Sequence, residues 1–128
     1  MPFQKLPKSE LAEYRKQQIA RQGGRCPISG WILTDDTAAA DHCHKTGMHR
    51  GTLPGWINAC LGRIENAARS VGRDNHIPTF LRKCADYIEW YELNPSFLFH
   101  HTYKTPEEKK EAAKKRAAKR RKEKKAAQ

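Results

Sequence analysis

Residues 39–61 read AADHCHKTGMHRGTLPGWINACL, and this stretch decides the architecture. Ala39–His44 and Met48–Leu53 flank Lys45-Thr46-Gly47, a short Gly-containing connection of the kind that closes a β-hairpin. Pro54 then suits the first turn of a helix, where its missing N–H is not needed. Ile57, Leu61, Ile64 and Ala68 recur behind it at helical spacing. Strand, turn, strand and helix therefore follow one another within about thirty residues.

On the N-terminal side, Lys8–Gln22 predicts a helix with Ser9 as its N-cap, Leu11 and Tyr14 on one face, and Gly23-Gly24 as its stop. Between the two helices the helical period disappears. Cys26-Pro27-Ile28-Ser29-Gly30 is turn chemistry, Trp31-Ile32-Leu33 reads as a short strand, and Asp35-Asp36 suits a loop. On the C-terminal side, a helix is expected over Pro78–Glu92, with Phe80, Cys84, Tyr87, Ile88 and Tyr91 as a buried stripe and Asn94-Pro95 as its end. The expected class is α+β: a small hairpin-helix core with flanking helices over residues 1–103, and a basic tail, helical or disordered, over residues 104–128.

Of the 128 residues 38% are apolar, below the roughly 45–50% of an average globular protein, so the core must be modest. No run of about 18 apolar residues is present to span a bilayer. The opening MPFQKLPKSE lacks the apolar stretch of a secretory signal. The expectation is a cytoplasmic protein with no membrane partner, in the host cytoplasm if it is encoded by a phage. The four cysteines, Cys26, Cys43, Cys60 and Cys84, form no C-x-x-C pair and read as reduced thiols.

The net charge of +11 is unevenly spread. Lys104–Gln128 carries 12 Lys and Arg against 4 Glu, a net +8. A charge run alone fits a solubilising helix or an acidic membrane surface as well as nucleic acid. Polyphosphate is the favoured partner, because neutralising phosphates releases condensed counterions.

The chemistry lies in Asp41-His42-Cys43-His44 with Asn58 on the following helix. Phosphodiester hydrolysis needs a group that takes a proton from water near neutral pH, and histidine is suited to that. A hard cation such as Mg²⁺ takes oxygen ligands and keeps several waters, so one carboxylate and one amide carbonyl suffice. A strict strand sets Asp41 and His42 on opposite faces, which counts against a shared site unless the strand twists or bulges there. A surface Asp-His pair, or histidines waiting for zinc, are the plainer alternatives.

Gly24-Arg25-Cys26-Pro27-Ile28-Ser29-Gly30, Asp41-His42-Cys43-His44-Lys45-Thr46-Gly47, Arg50-Gly51-Thr52-Leu53 and Asn58 together resemble the phage recombination endonuclease VII family over about residues 20–66. The family pattern is C-x-x-C-G, D-H-x-H and R-G-L-L-C-x-x-C-N. The resemblance implies a ββα-metal, or His-Me finger, HNH-type nuclease. It makes His42 the general base, gives His44 a phosphate-contacting or supporting role, and makes Asp41 and Asn58 ligands of one Mg²⁺ or Mn²⁺ per active site. DNA is the implied partner, held by Lys45, Arg50 and, in the tail, Lys114, Lys115, Arg116, Lys119, Arg120 and Arg121. A homodimer is left open.

The sequence also departs from that pattern. Of the four positions that hold structural zinc in the family only Cys26 survives, the others being Ser29, Pro54 and Ile57. A tetrahedral zinc site needs four N or S ligands, so no structural zinc is expected. A hydrophobic cluster of Ile28, Trp31, Trp56 and Ile57 is the expected substitute. The family's acidic residue three places after the Asn is Leu61 here. Glu65 shares the helix face of Asn58 and is a candidate substitute, although its simpler reading is a solvated surface residue.

The expected function is metal-dependent hydrolysis of DNA, either at branched junctions or at a duplex site as a free-standing homing or nicking endonuclease. The rival is a non-catalytic nucleic-acid-binding protein that keeps the ββα shape. The intact Asp41, His42 and Asn58 argue against it, since a binder has no need of that trio.

Overall fold

The computed structural model describes residues 4–72 and 74–128. The start of the N-terminal segment read above for a secretory leader lies outside them. By compactness the chain forms two units, Met1–Ala85 and Asp86–Gln128. No helix among the described residues is long and apolar enough to cross a membrane.

In the first unit a 3-10 turn, Lys8–Glu10, leads into α1, Leu11–Arg21. Ser9 therefore sits inside the turn and caps nothing, a correction to its expected role. The Glu10 N–H donates to the Pro7 carbonyl at 3.0 Å, so the chain enters the helix through this tighter turn. At the far end Gly23 and Gly24 take φ of 66° and 72°, left-handed values that stop a helix and are cheap only for glycine. The segment after Gly24 folds back on itself, with the Cys26 N–H on the Trp31 carbonyl (2.8 Å) and the Leu33 N–H on the Gly24 carbonyl (2.9 Å). The strand expected at Trp31–Leu33 is reduced to one isolated bridge between Arg25 and Ile32. Pro27, in the facing arm, cannot donate to a ladder.

The hairpin forms as expected, one or two residues shorter at its tip. Strands β1, Ala38–His42, and β2, His49–Pro54, pair antiparallel. The connection closes through Cys43 N–H to Met48 O (2.9 Å) and Gly47 N–H to Cys43 O (2.7 Å), with Gly47 at φ 76°. Pro54 ends β2 and stands at the position just before the first turn of α2, Gly55–Arg69, rather than inside that turn as expected, and makes no side-chain cap.

Both α1 and α2 pack against both strands. The core is small: Cys26, Leu33 and Leu53 are buried, and Ile19, Ala38, Ile57 and Leu61 close around them. Gln22, just past α1, extends this join. Its Oε1 accepts from Thr52 N–H at 2.7 Å and its Nε2 donates to Thr52 O at 2.9 Å, so a side chain pairs with β2 as a strand would. Ile57 thus joins the core as expected, but Ile28, Trp31 and Trp56 remain exposed, the two tryptophans resting on each other at 5.8 Å. Along α2 the inward stripe runs Ile57, Leu61, Glu65 and Ala68, with Ile64 turned out. The expectation of Glu65 as a solvated surface residue is therefore overturned.

Helix α3, Ile77–Leu93, matches the expected span within a residue, but its stripe is only partly inward. Phe80 and Cys84 are half-buried, whereas Tyr87 (67% exposed), Ile88 and Tyr91 face solvent. Their spacing is right for an amphipathic helix, yet these side chains stay exposed.

In the second unit the basic tail is a helix, α4, Pro106–Ala126. Its start carries a capping box: Glu108 N–H donates to Thr105 Oγ1, and Thr105 N–H donates to the Glu108 carboxylate. Glu107 and Glu108 at the start and Lys124 and Lys125 at the end complement the helix dipole. No residue of α4 is buried.

Candidate active site

The hairpin register carries a defect where the chemistry was expected. Ala40 pairs with Thr52, but His42 pairs with His49, so β2 holds one residue more than β1 across this interval. Arg50 and Gly51 together face Asp41, which is the geometry of a β-bulge. A Cβ on Gly51 would stand 3.2 Å from Gln22 Oε1 and 3.4 Å from Pro27 Cγ, so glycine permits the bulged strand to lie this close.

The bulge brings Arg50 onto Asp41. Arg50 Nε donates to Asp41 Oδ2 at 2.6 Å and Nη2 to Oδ1 at 3.1 Å. The other edge of the same guanidinium reaches α2, with Nη2 on Glu65 Oε1 at 2.8 Å and Nη1 on Oε2 at 3.2 Å. The side chains of Asp41 and Glu65 are 8% and 13% exposed, that of Arg50 35%. Pairing with Glu65 first, then Asp41, pushes the Arg50 pKa still further above its usual value, so the guanidinium is permanently charged. Two nearly buried carboxylates thus converge on one cation, a far stronger arrangement than an exposed ion pair.

On the exposed side of β1 lies a file of rings. His42 stacks on His44 with centroids 4.8 Å apart, His49 stands 6.4 Å from His42, and Tyr14 of α1 packs on His49 at 4.9 Å. Asp41 is buried and His42 exposed, as strand alternation requires. Among the described residues no hydrogen bond joins His42 to Asp41 or Asn58. Asn58 is half-buried on α2, seven residues before Glu65 and on the same helix face.

Lys45 is exposed in the hairpin turn. With His44 it lines one side of a groove of about 440 Å³ whose other side is Arg69, Gly72, Asn75 and Ile77. Lys114, Lys115, Arg116, Lys119, Arg120 and Arg121 all lie exposed on α4. Arg50, expected on DNA, is instead engaged with the two carboxylates.

A sequence model of the recombination endonuclease VII family matches residues 3–90, which takes in α1, the hairpin, α2 and most of α3. The chain belongs to the recombination endonuclease VII family. The match extends on both sides of residues 20–66, where the motifs were quoted. Membership carries the class of activity: a nuclease acting on DNA. No curated protein matches the chain.

Within the family pattern, the altered zinc positions now have a structural account. Cys26 is buried in the core, and its Sγ accepts the N–H groups of Ile28 and Ser29 at 3.4 Å each. Ile57 fills space beside it, and Pro54 is wholly buried at the turn into α2. Apolar packing therefore joins the loop to α2 at these positions. All four cysteines are free thiols. Among the described residues no three His, Cys, Asp or Glu side chains cluster as a metal centre. The oxygens at the bulge are the Asp41 carboxylate and, across Arg50, the Glu65 carboxylate; the Asn58 amide lies on the same face of α2 as Glu65, two turns before it. Such hard donors fit Mg²⁺ or Mn²⁺ rather than zinc.

Sequence reasoning missed His49, Arg69 and the ion-pair role of Arg50. His49 is found only through the bulged register. Glu65 carried a readable signal in its seven-residue spacing from Asn58.

Proposed function

We propose that this family member is a metal-dependent DNA endonuclease whose substrate is branched DNA, and that His42 is its general base. The observation that carries the proposal is the pair of nearly buried carboxylates, Asp41 and Glu65, converging on a single cation, with the exposed His42 the next residue along β1. Buried carboxylates without a cation are costly, so this part of the hairpin is built to keep a positive charge.

Asp41 and Asn58 are the residues that would hold Mg²⁺ or Mn²⁺. When bound, the cation supplies Lewis-acid polarisation of the scissile phosphate and stabilises the leaving oxygen. His42 is open to solvent and accepts a proton from the attacking water, whose oxygen bonds to phosphorus as the P–O3′ bond breaks. The products are a 5′-phosphate and a 3′-hydroxyl. His44, stacked on His42, orients the ring and reaches the adjoining groove. Lys45 and Arg69 offer cations to the backbone on either side of that groove. Contacts of this type set position and do not read sequence, which suits a substrate recognised by shape.

The test is incubation of the full chain with a four-way junction and with supercoiled plasmid, each with Mg²⁺ or EDTA. Faster cutting of the junction, abolished by EDTA, is the expected outcome. A preference for the plasmid would replace junction cleavage by nicking of a duplex site.

A further inference from the structure

Arg50 spends both oxygens of the residue proposed to bind metal. Its Nε and Nη2 occupy Asp41 Oδ2 and Oδ1, and the carboxylate side chain is only 8% exposed, so little of it faces solvent for a second cation to approach. Metal and guanidinium therefore compete for one ligand. We propose that Arg50 is a resident counter-ion which a divalent cation displaces from Asp41, and that Glu65 retains the displaced guanidinium. This inference rests on the reading of Asp41 as a metal ligand.

Three features make the exchange physically direct. Arg50 is the most exposed of the three side chains, so it is the one with room to move. Its second edge, Nη1 with Nη2, is held by Glu65, so leaving Asp41 does not mean leaving the site. Only arginine presents enough donors in a fixed fork to hold two carboxylates at once, and a lysine point charge cannot. Before metal arrives, Arg50 bridges a pair of carboxylates that would otherwise repel each other across the bulge, and offsets one of their two charges. After exchange the edge formerly on Asp41 is open to a phosphate oxygen. That gives Arg50 the backbone contact expected from the sequence, but only in the metal-loaded state.

The experiment is titration of the full chain with Mn²⁺ alone, without DNA, read by calorimetry and by loss of the free-ion paramagnetic resonance signal. Arg50→Gln is expected to bind Mn²⁺ about tenfold more tightly than wild type, a coupling of ordinary size between two ligands that compete. Arg50→Lys is the deciding variant, because it keeps the charge and loses the fork. Tightening close to that of Arg50→Gln supports exchange. Wild-type affinity in Arg50→Lys, with tightening only in Arg50→Gln, overturns it in favour of a simple charge effect. Asp41→Asn separates the two layers: if it binds Mn²⁺ as wild type does, the proposed metal site itself falls and the exchange with it. If Asp41→Asn loses Mn²⁺ while both Arg50 variants bind like wild type, the exchange alone is overturned.

Discussion

His42→Ala is expected to slow DNA cleavage about 10²–10⁴-fold, the usual loss when a positioned general base is removed. Affinity for uncut DNA should stay close to that of wild type. The structure explains the separation. His42 is exposed, its side chain forms no hydrogen bond among the described residues, and its ring lies near those of His44 and His49. Its loss leaves the Asp41–Arg50–Glu65 arrangement and the basic residues in place. Single-turnover cleavage and filter binding on the same junction measure the two effects. Undiminished cleavage would move the base elsewhere, with His44 and His49 the nearest candidates.

Deleting residues 104–128 is expected to act in the opposite sense, lowering affinity more than turnover. Helix α4 spans about 30 Å at the ordinary helical rise, carries cations around its whole circumference, and buries nothing. Its internal pairs, Lys114 with Glu111 and Lys119 with Glu123, are exposed and weak. They leave most of its cations free for phosphate. If about five of them meet the backbone, the slope of log affinity against log salt should become shallower by roughly four to five units. Binding of full-length and truncated chains across a salt series, both carrying His42→Ala, makes the comparison. Identical slopes would refute α4 as a DNA-binding arm.

The parts of this molecule that follow local rules were legible in the sequence. The Lys45-Thr46-Gly47 connection, Pro54 at the entry to α2 and the glycines after α1 each dictate the backbone where they stand. The bulge was not legible, because it is a property of how two strands pair. With it went His49 and the true partners of Arg50. Tyr87, Ile88 and Tyr91 show the converse limit: their helical spacing is real, but a periodic apolar face does not create a partner to cover it. Asp41 and Asn58 were singled out from the sequence because their residue types and spacing suit the chemistry. The inward turn of Glu65 depends on Arg50, whose guanidinium it meets across the bulge.

The most direct test of the account is the rate of junction cleavage as a function of Mg²⁺ for wild type, Asn58→Ala and Asp41→Ala. Wild type should be inactive in EDTA. Asn58→Ala should need more Mg²⁺ and recover in part when it is supplied, because one oxygen ligand is gone and the carboxylate remains. Asp41→Ala should stay inactive throughout. Cleavage by wild type in EDTA, or an unchanged Mg²⁺ dependence in both variants, would contradict the assignment of Asp41 and Asn58 as the metal ligands of this nuclease.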